Sequence, residues 1–355
     1  MASAALTETT GGDFARLRRR IGRLVTSNYD ISDRCNLRCE GCLFFAGDDY
    51  KRYRPETDLN RWRAFFRSEA ERGVNFGYFA GAEPSLELER LRAAHGVIPN
   101  GVVFSNGLVA IPRDVDYRIH ISLWGDDAAS VELRGAGNRK AFANYAGDPR
   151  AVFVFTINAM NIDTIVPATR AVAEAGSTIT FSLFSPTIKY ADSAKALDAA
   201  DLRYFRHRDD AQSPVLSAAD MQRAGDRIEE ARQLHPATVR YSPLYHSWIT
   251  RPEGLYDLDE AGVATNCGNR LSGRHRHYNV DQSATSAKCC SPNLDCRDCR
   301  AYAMGYASYL KENVSPRLRE AQSPEWLEVW TLWAELFLGD SSVAVAAALD
   351  RDPWR

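Results

Sequence analysis

The sequence predicts an α/β protein: an incomplete (β/α)6 TIM-like barrel followed by a small C-terminal cysteine-rich auxiliary-cluster domain. Three observations carry this. Six short apolar or alternating runs recur over residues 28–184, with helical patterns between most of them, which is the rhythm of βαβ units on a parallel sheet. Six strands suit a partial barrel better than a closed eight-stranded one. Beyond Thr265 glycine, arginine and cysteine replace that rhythm.

The expected strands are Asn28–Ser32, Asn75–Ala80, Val102–Ser105, Arg118–Trp124, Val152–Asn158 and Thr178–Phe184. The expected helices between them are Arg61–Arg72, Leu86–Ala94 and Thr164–Glu174. Ala191–Leu234 reads as mostly helical and polar, broken at Pro214, and forms an insertion or crossover. A hairpin is expected around Tyr278–Lys288, and Trp326–Leu338 reads as an aromatic-rich helix that Gly339 ends. The expected division is a tail and basic helix over 1–27, the barrel over 28–255, the auxiliary domain over 260–312 and a helical segment over 313–355.

A chain of 355 residues, 45% hydrophobic and 25% charged, has the composition of a globular protein with a sizeable core. Its net charge of -2 gives no global attraction to nucleic acid or membrane. The N-terminus lacks the basic start and apolar run of a secretory signal, and no apolar stretch is long enough to span a bilayer, so a cytoplasmic location is expected. Arg16, Arg18, Arg19, Arg20 and Arg23 form a basic patch. It is expected to be a solvated helix face rather than a dock for an acidic or peptide substrate.

The eight cysteines fall at 35, 39 and 42, then at 267, 289, 290, 296 and 299. A disulfide scaffold would be short and secreted, so two cysteine groups in this chain point to metal. Cys35, Cys39 and Cys42 are spaced x3 then x2 directly after a predicted strand. Three thiolates hold three irons of a 4Fe–4S cluster and leave the fourth iron open. Zinc would ask for a fourth Cys or His nearby, and the sequence has none there.

This motif resembles the CxxxCxxC signature of the radical S-adenosylmethionine superfamily. The resemblance implies that the open iron chelates S-adenosylmethionine and that reductive cleavage gives a 5′-deoxyadenosyl radical. Gly41 stands where many members carry an aromatic residue. Ala80-Gly81-Ala82-Glu83-Pro84 resembles the family's GGEP segment, which contacts the amino group of the cofactor. Ala82 replaces its second glycine, which is tolerable if φ there stays negative. Phe104-Ser105-Asn106-Gly107 resembles the TNG end of the third strand. Ile121-Ser122-Leu123-Trp124-Gly125 resembles the fourth, usually SLDG, with Ser122 near the ribose and Trp124 in place of an aspartate. Leu133-Arg134-Gly135 matches the RG that follows, and makes Arg134 a candidate for the cofactor carboxylate. Thr156 and Asn158, at the end of the fifth strand, are also implied to face the cofactor. These matches run in the family's order over about residues 28–185.

Cys267 and Cys289 have 21 residues between them, and Cys296 and Cys299 follow as a CxxC. The segment resembles the hairpin of SPASM and twitch domains, with Ala284 where the turn glycine is normal. Five cysteines are too few for the seven of a full SPASM domain. The resemblance therefore implies one auxiliary 4Fe–4S cluster on Cys267, Cys289, Cys296 and Cys299. A structural zinc site of four cysteines is the alternative. His275 and His277 share a strand face and are expected to be exposed rather than ligands. Cys290 is spare: a small buried residue, or a catalytic hydrogen-atom donor such as some radical epimerases use.

The expected reaction is oxidation of a small molecule, aminocyclitol- or sugar-like, as in aminocyclitol dehydrogenases of antibiotic pathways. An auxiliary cluster would accept the second electron, and a flavodoxin or ferredoxin would donate the first. One alternative is a peptide-modifying radical enzyme. The 34 residues before Cys35 weigh against it, since a leader-binding domain needs about a hundred. An alternative of another class is a non-catalytic zinc or iron–sulfur module. The sequence names no substrate base. Tyr241, Tyr245 and His246 could line the cavity, but core packing is expected for each.

Overall fold

The computed structural model describes residues 21–47, 49–192, 201–207, 213–268, 274–285, 293–312 and 324–339. The strands are β1 (Thr26–Ser32), β2 (Phe76–Gly81), β3 (Asn100–Ser105), β4 (Arg118–Leu123), β5 (Ala151–Ile157), β6 (Thr178–Leu183) and β7 (Arg276–Tyr278). The helices are α1 (Leu59–Glu71), α2 (Leu88–His95), α3 (Asp127–Arg134), α4 (Arg139–Tyr145), α5 (Ile165–Glu174), α6 (Ile188–Ala191), α7 (Ala218–Leu234), α8 (Pro243–Ile249), α9 (Tyr302–Glu312) and α10 (Pro324–Leu338).

All six expected strands form, and they lie side by side in chain order. The sheet order is β6-β5-β4-β3-β2-β1-β7, and every neighbouring pair is parallel. This is a partial barrel: crossover helices cover one face, and the other face turns inward around a cavity. The pleat assigns the residues. On β1, Tyr29 and Ile31 are fully buried against the helical layer, while Asn28 and Asp30 alternate with them and line the interior.

A seventh strand was not expected. Arg276–Tyr278 pairs with Ser27–Tyr29 of β1, so a segment inside the expected auxiliary domain extends the barrel sheet. The expected hairpin follows it. Asn279 N–H donates to Ser283 O at 3.0 Å and Thr285 N–H to His277 O at 2.9 Å; residues 286–288 of the expected hairpin lie outside the described residues. The left-handed position in this turn is Gln282 (φ 68°), so Ala284 needs no glycine-like conformation.

The polar crossover is helical on the far side of Pro214, as expected, and less so before it. Of the described residues between Asp192 and Pro214, only Asp201–Tyr204 is helical, as one 3-10 turn. The long helix α7 begins after Pro214, where Ser217 and Asp220 form a capping box.

Two aromatic helices close the barrel. α9 packs on β6, and Ala301–Met304 line the cavity at that open edge. α10 lies under β3 and β4, with Phe337 against Tyr78, His120 and Tyr302. His120 Nε2 donates to the Leu336 carbonyl at 2.8 Å, and burial pushes this imidazole down to about 3, so it is neutral. Tyr241 and Tyr245 are core residues, as expected; Tyr245 stacks on Tyr306 with ring centroids 3.9 Å apart. Of the basic patch only Arg23 is among the described residues, and it is exposed. Among the described residues no helix is long and apolar enough to cross a membrane.

Candidate active site

All strands of a parallel sheet deliver their following loops to one end, and the residues singled out by sequence converge there. They surround a cavity of about 400 Å³. Its rim carries Cys35, Cys39 and Cys42. Its wall carries Gly81, Ala82, Glu83, Asn106, Ser122, Arg134 and Thr156, and its floor carries Tyr78, Phe104 and His120.

The cysteine loop follows β1 and is tied down along its length. Arg38 N–H donates to Arg134 O (3.2 Å), Glu40 N–H to Leu133 O (2.7 Å) and Gly41 N–H to Tyr204 O (2.7 Å). Gly41 is left-handed (φ 58°), and a β-carbon there would lie 2.5 Å from the Phe184 ring. The space an aromatic at position 41 would need is therefore taken by a ring from the end of β6. Burial pushes the Cys35 thiol up to about 11 and the Cys42 thiol up to about 12. Leu37 N–H points at Cys35 Sγ from 3.3 Å, a donor suited to a thiolate.

Glu83 is buried, and each of its oxygens is held. Oε1 accepts from Ser85 N–H (3.0 Å), Ser85 Oγ (2.6 Å) and Ser105 Oγ (2.7 Å), and Oε2 accepts from Asn106 N–H (2.8 Å). Asn106 in turn donates to Asn36 Oδ1 at 2.6 Å, which ties the third strand's end to the cysteine loop. Gly81 has φ 104°, and a β-carbon there would meet the Ser32 carbonyl at 2.5 Å, so this position requires glycine. Ala82 does not have a positive φ, as its methyl requires.

Arg134 is 3% exposed rather than a surface arginine. It donates to Ser122 O at 2.6 Å and to Asn106 O at 3.5 Å, while its buried Nε has no hydrogen-bond partner among the described residues. An orphaned guanidinium donor at a cavity wall fits an anionic ligand group. Asn158 departs from the expected set, because it does not line the cavity. It is fully buried in the turn after β5, where its N–H donates to Asn161 Oδ1 and its Oδ1 accepts from Met160 N–H.

The histidine pair also departs from expectation. His275 and His277 share a face, but that face is the cavity, because parallel pairing with β1 turns it inward. Sequence reasoning also missed Glu40, which is fully buried and ties the cysteine loop to Tyr190, Arg206 and His207. A carboxylate between two motif cysteines was the available signal.

Cys267, Cys296 and Cys299 are buried. Cys289 and Cys290 lie outside the described residues. Among the described residues no three His, Cys, Asp or Glu side chains converge on one point as the ligands of a single ion would. A cubane gives each thiolate its own iron, so Cys35, Cys39 and Cys42 on one cavity rim suit it without such convergence.

No family model and no curated protein matches the sequence. Solved structures do match. SuiB from Streptococcus suis bound to S-adenosylmethionine superposes with a TM-score of 0.50 at 12% identity, over 75% of this chain and 60% of SuiB. Native anSMEcpe with bound AdoMet superposes with a TM-score of 0.50 at 10% identity, over 92% of this chain and 100% of that one. The chain therefore shares the partial-barrel fold of these two S-adenosylmethionine-bound proteins. The match spans 60% of the length of SuiB.

Proposed function

We propose that the protein is a radical S-adenosylmethionine enzyme. The observation that carries this reading is the meeting of Cys35, Cys39 and Cys42 with Glu83, Asn106, Ser122, Arg134 and Thr156 around one cavity. Cys35, Cys39 and Cys42 would hold the cluster, and Arg134 Nε and the Ser122 and Thr156 hydroxyls would orient the cofactor. When bound, the cluster supplies the electron that cleaves S-adenosylmethionine to a 5′-deoxyadenosyl radical. Phe184, Tyr190 and Tyr204 pack around the buried parts of the loop, Gly41, Phe45 and Ala46.

The finer reading is oxidation of a small polar molecule, with Cys267, Cys296, Cys299 and Cys289 holding an auxiliary cluster that accepts the second electron. Cys290 is dispensable in that reading.

The test is anaerobic reconstitution followed by assay of 5′-deoxyadenosine. The wild type should form it, and the Cys35→Ala/Cys39→Ala/Cys42→Ala variant should not. Native-rate cleavage by the variant would overturn the reading. Two clusters predict about eight irons per chain, whereas about four irons with one tightly held zinc would refute the auxiliary cluster.

A further inference from the structure

One carboxylate in the cavity is not consumed by the protein. Asp30 is on β1, five residues before Cys35, and its side chain is 18% exposed to the interior space. Oδ2 accepts from His277 Nε2 at 3.2 Å, and among the described residues Asp30 has no other hydrogen-bond or ion-pair partner. Glu83 is the contrast, with both oxygens engaged.

His277 fixes Asp30 from the neighbouring strand. Asn28 Nδ2 faces His277 Nδ1 at 3.4 Å, and an amide nitrogen can only donate. Nδ1 therefore accepts, the ring proton sits on Nε2, and Nε2 donates to Asp30. The parallel register that sets Asn28 opposite His277 makes this chain a consequence of the β1–β7 pairing.

We propose that Asp30, positioned by His277, is the substrate-recognition carboxylate of this cavity, taking a hydroxyl or ammonium donor on a small polyhydroxylated or amino-bearing ring. The surroundings define that class. An oxygen with spare acceptor capacity demands a donor. Beyond the Ser122 and Thr156 hydroxyls assigned to the cofactor, Ser182 supplies a hydroxyl to the same cavity, and the aromatic floor of Tyr78, Phe104 and His120 suits the C–H face of a ring. The proposal rests on the radical S-adenosylmethionine reading for the placement of the cofactor.

The experiment titrates the reconstituted holoenzyme, with S-adenosylmethionine present, against scyllo-inosamine and scyllo-inositol by calorimetry. The wild type should bind at least one probe, and Asp30→Asn should weaken that binding at least tenfold. A larger loss for scyllo-inosamine assigns the ammonium; equal losses assign the hydroxyl. Asp30→Glu should recover part of the loss, which a merely structural aspartate would not allow. If Asp30→Asn does not fold, His277→Asn is read instead, with at least a threefold loss. Wild-type protein that binds neither probe overturns the proposal, as does a folded variant that binds like the wild type. Formation of 5′-deoxyadenosine by the wild type is measured alongside. Its absence sinks the cofactor reading, whereas its presence with unchanged probe binding sinks only the role of Asp30.

Discussion

The Tyr278 phenol donates a 2.6 Å hydrogen bond to Glu69, a buried carboxylate that also accepts from Tyr29 at 2.8 Å and from Arg72. Tyr278 ends β7 and Glu69 is on α1, so this contact anchors the seventh strand from outside the barrel while His277, one residue earlier, faces inside. Tyr278→Phe removes one donor from a buried charge. The expected cost is about 1–3 kcal/mol in denaturant unfolding, with the protein still folded. An unchanged midpoint would show that β7 is held by its backbone pairing alone.

The same carboxylate predicts a pH dependence. Burial pushes Glu69 up, but hydrogen bonds from Arg72, Tyr278 and Tyr29 outweigh it and hold the carboxyl below its ordinary range. A carboxyl depressed in the folded state contributes stability that is present above its unfolded value of about 4.3 and is lost as pH falls through the folded value. Glu69→Gln should be less stable at pH 7 and should lose less stability than wild type on acidification below about pH 4. Parallel stability–pH curves for the two proteins would refute this.

The six barrel strands were legible because each is a short apolar or alternating run, and periodicity reports such elements directly. The cysteine rim and most of the cavity wall were legible because motif residues sit at strand ends. β7 was not legible: three residues, Arg276–Tyr278, carry too little pattern to show that they pair with β1, 249 positions earlier. His277 was expected to be exposed for the same reason, since only that pairing turns it inward beside Asp30. Asn158 was open in the sequence because a strand-end polar residue can face the cavity or close a turn, and its N–H and Oδ1 do the latter.

Gly41 and Phe184 form a complementary pair. Gly41→Ala should cost stability twice, about 1–2 kcal/mol for the left-handed backbone and more for the contact with the ring. Phe184→Leu in the same chain should remove only the second part. Melting temperatures of the two single variants and the double variant measure the coupling. Additive losses would show that the ring does not restrict position 41.

The last prediction concerns Glu40. Its Oε1 accepts from Tyr190 Oη (2.7 Å) and His207 N–H (3.0 Å), and its Oε2 from Arg206 N–H (3.0 Å), with the Arg206 guanidinium 3.5 Å away. On each oxygen at least one neighbour is a backbone N–H that can only donate. Glu40→Gln is therefore not conservative, because whichever way the amide turns its NH2 group faces a donor and leaves it unpaired. The expected loss is about 1–3 kcal/mol. Glu40→Ala empties the site and should cost more than Glu40→Gln, because the Tyr190 hydroxyl and the Arg206 and His207 N–H groups all lose their acceptor. Arg206 also donates to Arg38 O and Leu133 O, so the cysteine loop and the end of α3 loosen together. Iron retained after anaerobic desalting should fall in both variants. Tyr190→Phe, which leaves the carboxylate its other donors, should retain nearly all of its iron. Wild-type iron retention in Glu40→Gln would show that the thiols hold their loop without this clamp.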